Sequence, residues 1–151
     1  MFRRIAVLFG ALALVAADAP KADPKGGDAK AIQGTWTVTS AEMRGEKRSD
    51  LVGSTYDLRD GTVTITIKGK DKPVVGTYSL DSSADPKRFD LTPQSETRPM
   101  RGIYRLDEDR LTLCTADNPE QERPTKFETH PDRKVVLLVL TRETAPKPGK
   151  R

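Results

Sequence analysis

The side chains that could act as a general base or a nucleophile are few and stand apart from one another. The single histidine, His130, lies in a turn-like Thr-His-Pro-Asp-Arg stretch, whereas a catalytic histidine needs a nucleophile and an orienting partner nearby. No Gly-x-Ser-x-Gly elbow or similar nucleophile motif occurs in the sequence. We therefore expect His130 to be a solvated loop residue, and the sequence predicts no catalytic residue and no enzymatic activity.

The single cysteine, Cys114, cannot form a disulfide within its own chain. It ends the alternating run Leu111-Thr-Leu-Cys114, in which Leu111 and Leu113 share the face opposite Cys114. Free cysteine behaves as a small hydrophobe. We expect Cys114 to be buried, with pairing to another chain or a nucleophilic role as the alternatives.

The acidic residues do not form a metal-binding pattern. Asp107, Glu108 and Asp109 are adjacent, and neighbouring carboxylates in a tight turn cannot all reach one ion. The alternating ligand spacing of calcium loops is missing. Zinc sites draw on several Cys and His ligands, and this chain has one of each, well separated. We predict a solvated turn here, no metal site and no cofactor.

The N-terminus has the organisation of a secretory signal peptide. Arg3 and Arg4 form a positive region, residues 5–16 are apolar, and small residues precede an expected cleavage site before Asp18. The apolar run has about a dozen residues, fewer than the roughly 20 that a membrane-spanning helix needs. We predict a signal peptide over residues 1–17, export to the periplasm or the extracellular space, and no transmembrane segment after cleavage.

The excess of positive charge lies at the ends of the chain. The 151 residues include 26 Lys and Arg against 22 Asp and Glu, a formal net charge of +4. Within residues 31–144 the counts are 18 and 19, because basic residues are concentrated in the signal peptide and in the tail over residues 145–151. A nearly neutral domain without a basic stripe lacks the footprint of a nucleic-acid-binding protein. We therefore exclude a nucleic-acid partner, and expect the tail to contact an anionic cell surface only weakly.

The chain divides into a flexible linker over residues 18–30, one domain over residues 31–144, and the basic Pro-rich tail. No segment of the domain has a sustained helical period, and short runs alternate apolar with polar residues between turn signals, which is typical of antiparallel β structure. Helix is limited to predicted single turns at residues 28–32, with Asp28 as the expected cap, and at residues 49–52. The predicted strands are enough for a small sandwich or a barrel; they are residues 36–40, 56–58, 62–68, 74–80, 88–91, 102–106, 110–114, 125–127 and 135–140.

A short motif at the start of the first strand predicts how the barrel is closed. Gly34-Thr-Trp36 follows the predicted helical turn, and this arrangement resembles the opening motif of lipocalins, in which the glycine lets the chain enter the barrel floor and the tryptophan plugs it. In lipocalins an arginine after the last strand packs over that ring as a cation–π contact. Arg142 stands at this place. The resemblance implies that Gly34, Trp36 and Arg142 form a structural barrel-floor motif.

A longer series of motifs is similar to a secreted lipocalin-like domain family of unknown function that is expanded in planctomycete bacteria. The similarity covers nearly all of residues 32–142. It implies an all-β fold, a small antiparallel up-and-down barrel of about eight strands with a short N-terminal helical turn, and it carries over no catalytic residue. The motifs are Gly76-Thr-Tyr-x-Leu-Asp81, Pro86-Lys-x-Phe-Asp-Leu91, Gly102-Ile-Tyr-x-Leu106, Leu111-Thr-Leu-Cys114 and Arg123-Pro-Thr-x-Phe127.

A barrel of this size is either filled by its own side chains or just wide enough for one small ligand. If Trp36 closes one end, the candidates for lining a pocket are Tyr78, Tyr104 and Tyr56, because a phenol can hydrogen-bond to a polar group of a ligand. We predict an exported, non-enzymatic, lipocalin-like domain that binds a small apolar or amphipathic ligand. An apolar cavity of roughly 300 Å³ or more would favour this function.

The alternative is a protein-interaction domain with a filled barrel, comparable to small secreted protease inhibitors. The polar, Pro-rich loop over residues 117–124 would then contact an envelope or extracellular protein. A cavity that is water-sized and polar would favour this function.

Overall fold

The computed structural model describes residues 27–143, and every statement about the fold concerns this part of the chain. Helix α1 (Gly27–Ala31) precedes nine strands, with a short 3-10 turn (Ser49–Leu51) between the second and the third. The predicted signal peptide, most of the predicted linker and the basic tail lie outside the described residues. The strands are β1 (Gly34–Met43), β2 (Glu46–Lys47), β3 (Thr55–Arg59), β4 (Thr62–Thr66), β5 (Val74–Asp81), β6 (Lys87–Pro93), β7 (Met100–Asp107), β8 (Arg110–Ala116) and β9 (Val135–Arg142).

The strands form one antiparallel sheet that closes on itself. From β3 to β9 each strand pairs with the next strand along the chain, and β1 pairs with both β3 and β9. The result is an eight-stranded up-and-down barrel, with β2 added at the end of β1. The predicted all-β antiparallel barrel with a short N-terminal helical turn is confirmed.

One predicted strand is missing from the structure, and one predicted helical turn is shifted by a residue. Residues 125–127, predicted as a strand, belong to the long connection between β8 and β9; the barrel is closed there, so no free strand edge is available to pair with them. The helical turn predicted at residues 28–32 is observed as α1 (Gly27–Ala31), one residue earlier, and it overlaps the end of the predicted linker. The helix is held against the barrel by side-chain contacts that composition does not reveal.

The two ends of the barrel differ. We call the end that carries Gly34, α1 and the short connections 60–61, 82–86 and 108–109 the floor. The opposite end, where β1 ends, is the mouth; it carries four longer connections, residues 44–54, 67–73, 94–99 and 117–134. Antiparallel pairing alternates the connections between the two ends, so each side chain on a strand has a defined height between floor and mouth.

Alternate residues of the strands point into the barrel and form its core. The largest side chains in this core, Trp36, Phe89 and Tyr104, are fully buried in the half of the barrel nearer the floor. A second, smaller cluster of Ile103, Cys114 and Val135 lies on the outer face of β7, β8 and β9. The connection over residues 117–134 folds back over this outer face, which explains why β9 is apolar on both sides.

Candidate functional site

The candidate site is a cavity of about 250 Å³ that opens at the mouth. Typical ligand pockets have volumes of roughly 300–1,000 Å³, so this cavity is slightly smaller. It is larger than a cavity of about 150 Å³, which is enough to hold benzene. Two polar side chains, Ser54 and Asp117, reach it. The rest of the wall consists of Val38, Leu51, Tyr56, Ile65, Ile67, Val74, Leu91, Pro93, Met100, Val136 and Leu138.

The cavity exists because most of the large aromatic side chains of the core lie nearer the floor. Aromatic residues make up only 5% of the chain, and Trp36, Phe89 and Tyr104 fill the lower half. Apart from Tyr56, the wall at mouth level is built from smaller side chains. An eight-stranded barrel needs large side chains to fill its interior completely, so the upper half stays open.

Polar groups in the wall can position a ligand. Burial raises the pKa of Tyr56 to about 12, so its phenol stays protonated near neutral pH and can donate a hydrogen bond. Ser54 is buried, and its Oγ accepts a hydrogen bond from the backbone N–H of Lys68 at 2.9 Å. Asp117 Oδ1 accepts one from Asn118 Nδ2 at 2.8 Å. The cavity therefore combines an apolar wall with two hydroxyls and one carboxylate.

The structure separates the three tyrosines that the sequence proposed for a pocket. Tyr56 lines the mouth cavity, whereas Tyr78 and Tyr104 lie toward the floor and outside that wall. The Tyr78 ring stacks on Phe89 with 5.7 Å between centroids, and burial together with the nearby charge of Asp60 raises the pKa of Tyr78. Alternation predicts that all three rings point inward, but only the pairing of strands decides their height.

The floor is closed by the three residues of the predicted barrel-floor motif. Trp36 has no exposed surface, and its Nε1–H donates a hydrogen bond to the backbone oxygen of Ile32 at 2.8 Å. The Arg142 guanidinium carbon lies 4.3 Å from the centroid of the Trp36 ring. Gly34 has φ +131°, and an added Cβ would lie 3.0 Å from Arg142 Nη1. Glycine is therefore needed both for the backbone conformation and for the approach of the arginine.

Helix α1 is held against the floor by a polar network that the sequence did not reveal. Asp28 Oδ2 accepts hydrogen bonds from Lys87 Nζ at 2.8 Å and from the Tyr104 hydroxyl at 2.6 Å. Burial by itself raises the pKa of Asp28, but the hydrogen bonds from Lys87 and Tyr104 outweigh it and lower that pKa. Burial and the hydrogen bond to Asp28 raise the pKa of Tyr104. The only sequence signal was Asp28 as a predicted helix cap.

This network predicts a pH dependence of stability. The pKa of Asp28 is below its ordinary 3.8 in the folded chain, so ionised Asp28 stabilises the fold above that value, and the stabilisation is lost as the pH falls through the lowered pKa. We expect Asp28→Asn to melt roughly 3–6 °C below the wild type at neutral pH. The difference should shrink in acid, as measured by circular dichroism melts between neutral pH and strong acid.

The matched control for Asp28→Asn is Glu108→Gln, which removes an exposed carboxylate from a floor turn. This control should leave the neutral melting temperature nearly unchanged, because exposed charges contribute little. If the melting temperatures of the wild type and Asp28→Asn changed with pH in parallel, this result would contradict the role given to Asp28.

The other residues considered for chemistry are held in structural positions. Cys114 is buried, its Sγ lies 3.4 Å from the backbone oxygen of Lys126, and burial raises the pKa of its thiol to about 11. His130 is about half exposed, with its Nε2 3.3 Å from a carboxylate oxygen of Glu128. Asp109 Oδ1 accepts a hydrogen bond from Arg142 Nε at 3.2 Å. Within residues 27–143 these groups are not brought together.

Among the described residues, no three His, Cys, Asp or Glu side chains are placed to hold a metal ion. Helices in the same part of the chain are too short and too polar to cross a membrane. No protein-family model, curated protein or solved structure matches the chain. The resemblance to a secreted lipocalin-like family therefore stays a prediction, and a functional proposal depends on the geometry of the barrel.

Proposed function

We propose that this domain is an exported, non-enzymatic binding protein that holds a small apolar or amphipathic ligand in the mouth cavity. The observation that carries the proposal is the open cavity of about 250 Å³, which is smaller than the roughly 300 Å³ expected for this function but is lined mainly by apolar side chains. The floor motif supports it, because Trp36 and Arg142 close the opposite end. One end of the barrel is thus sealed, and the other gives access to an apolar interior, a common arrangement for ligand-binding barrels.

The dimensions and chemistry of the cavity narrow the class of ligand. A volume of about 250 Å³ accommodates a compact group larger than benzene but smaller than most drug-sized molecules. The hydroxyls of Ser54 and Tyr56 can donate hydrogen bonds to an oxygen of the ligand. We therefore favour a compact apolar group that carries a carbonyl, ether or hydroxyl oxygen.

The loop that motivated the protein-interaction alternative is bound to the barrel instead of projecting from it. Arg123 Nη1 donates hydrogen bonds to Asp90 Oδ1 at 2.6 Å and to the backbone oxygen of Gly102 at 2.8 Å. Pro119 and Pro124 of the same loop are buried. A loop fastened in this way offers fewer free groups to a protein partner, so these contacts favour ligand binding over the inhibitor-like alternative.

A titration with a neutral naphthylamine fluorophore tests the proposal. We expect saturable binding to the wild type, and at least a tenfold loss of affinity in Val136→Trp, because an indole at this position on the inward face of β9 occupies the cavity. Val139→Trp makes the same change on the outward face of the same strand and should bind the probe like the wild type.

Native mass spectrometry of protein purified from its own host provides an independent measurement. We expect a bound species of low mass that is absent after denaturation. If no such species co-purifies and the fluorophore shows no saturable binding, the cavity does not serve as a binding site and the proposal is wrong.

A further inference from the structure

Charge is distributed unequally between the two ends of the barrel. The floor segments, residues 27–33, 60–61, 82–86 and 108–109, carry five acidic residues and one basic residue. At the mouth, residues 44–54, 94–99 and 117–134 together carry eight basic and eight acidic residues. The remaining mouth connection, residues 67–73, carries three lysines and one aspartate. The whole positive excess of the mouth therefore comes from one hairpin.

This hairpin, between β4 and β5, combines exposed cations with an exposed apolar residue. Lys68, Lys70 and Lys72 are exposed, and within residues 27–143 none of them forms an ion pair. Val74, directly after the hairpin, is the one large apolar side chain left exposed in the described part of the chain, at 36%. Val74 also lines the cavity, so the lysines and the opening of the cavity lie on the same surface.

Lysines beside an exposed apolar residue match the chemistry of an anionic bilayer surface. The anionic headgroups attract lysine, with roughly a fivefold gain in binding per residue near the surface. An apolar side chain can enter the boundary between headgroups and acyl chains. The acidic floor is repelled by the same surface, so both ends of the barrel favour one orientation.

We propose that the mouth docks onto anionic lipid bilayers through the β4–β5 hairpin, residues 67–73, together with Val74, which places the cavity opening against the membrane. The proposal adds a membrane partner to the ligand-binding function. Docking does not require ligand binding, since it depends on the hairpin and on the charge of the floor. An apolar ligand would then pass between bilayer and cavity without crossing bulk water. The expected docking is reversible, because one small cluster of lysines gives only modest affinity.

Vesicle flotation of the form expected after removal of the signal peptide, residues 18–151, tests this proposal. We expect binding to phosphatidylcholine vesicles that contain phosphatidylglycerol, and none to pure phosphatidylcholine. Raising the ionic strength from about 0.1 M to about 1 M should abolish binding, because the Debye length falls from about 10 Å to about 3 Å. The double variant Lys70→Glu/Lys72→Glu should bind at least about twentyfold more weakly, because two attractive charges are removed and two repulsive ones are added.

Two control variants distinguish the contribution of the hairpin lysines to vesicle binding from that of basic residues elsewhere in the chain. Lys30→Glu/Arg110→Glu makes the same change of charge on exposed floor residues and should keep vesicle binding. Neutralising the basic tail with alanine at Lys147, Lys150 and Arg151 should also keep most of it. Binding that survives in the hairpin variant, or that disappears only in the tail variant, overturns the proposal, as does equal binding to neutral and anionic vesicles.

A fluorescent label checks the orientation. The native Cys114 is buried, so a bimane attached through Asp71→Cys reports the hairpin and one attached through Ser83→Cys reports a floor connection. We expect anionic vesicles to shift the emission of the first label to the blue and leave the second unchanged; a shift at position 83 alone would overturn the proposal. Because Lys70→Glu/Lys72→Glu leaves the cavity wall intact, it should still bind the naphthylamine fluorophore, so failure of docking and failure of ligand binding are distinguishable.

Discussion

Replacing Trp36 with alanine is expected to lower the free energy of unfolding by about 3–5 kcal/mol. Trp36 has no exposed surface and is the largest side chain of the core. Its removal leaves a cavity at the floor, takes away the hydrogen bond to the backbone oxygen of Ile32, and removes the ring beneath Arg142. Because domains of this size are stable by only about 5–15 kcal/mol, the variant should be close to unfolding.

Urea denaturation followed by far-ultraviolet circular dichroism measures this loss without relying on tryptophan fluorescence. Trp36→Phe is the matched control, because it keeps an aromatic ring under the guanidinium. It loses the Nε1–H donor but only part of the side-chain volume. We expect the phenylalanine variant to lie between wild type and Trp36→Ala. A loss below about 1 kcal/mol for Trp36→Ala would show that the ring does not seal the floor, since such a value is typical of an ordinary substitution.

Replacing Arg142 with methionine is expected to cost about 2–4 kcal/mol, because each of two hydrogen bonds from a charged donor contributes up to about 1.5–3 kcal/mol and the exposure of about a quarter of the side chain reduces the sum. Arg142 Nη1 donates to the backbone oxygen of Gln33 at 2.8 Å and Nη2 to that of Ala31 at 2.6 Å. The variant leaves both carbonyls without this donor and uncovers the Trp36 ring. The ion pair with Asp109 adds little, because that carboxylate is 70% exposed.

Two further variants distinguish the guanidinium from positive charge alone. Arg142→Lys keeps the charge but lacks the planar fork that reaches both carbonyls, so it should recover less than half of the loss. A double-mutant cycle that combines Arg142→Met with Trp36→Leu, which removes the aromatic ring, should show coupling of at least about 0.5 kcal/mol. Additive effects in this cycle would contradict an energetic contact between ring and guanidinium. Urea midpoints at constant m-value provide both measurements.

Local patterns predicted most of the strands because the alternation of a strand is a local property. Residues 62–66 alternate threonine with Val63 and Ile65, and they form β4 with those two side chains in the core. Residues 135–140 are apolar on both faces and form β9, which pairs with β8 and β1. Residues 125–127 also alternate but do not form a strand, since a strand additionally needs a free edge to pair with, which only the assembled sheet determines.

The candidate site was less predictable than the fold. Ser54 and Asp117, which end up in the cavity wall, lie outside the alternating runs, and no local signal distinguishes them from ordinary loop residues. Tyr56 was predicted for a pocket together with Tyr78 and Tyr104, but strand pairing places Tyr78 and Tyr104 nearer the floor. Asp28 was predicted only as a helix cap, because its bonds to Lys87 and Tyr104 span 59 and 76 residues.

The sequence by itself determined that this chain forms antiparallel β strands in a small sandwich or barrel, and the resemblance to lipocalins added the floor motif of Gly34, Trp36 and Arg142. Alternation and turn residues are local properties of the chain, so they can be read before the chain folds. The tertiary structure alone decided that the barrel has an open cavity at the mouth. Whether a barrel is filled depends on which side chains share one height, and that height is set by the register between strands distant in sequence.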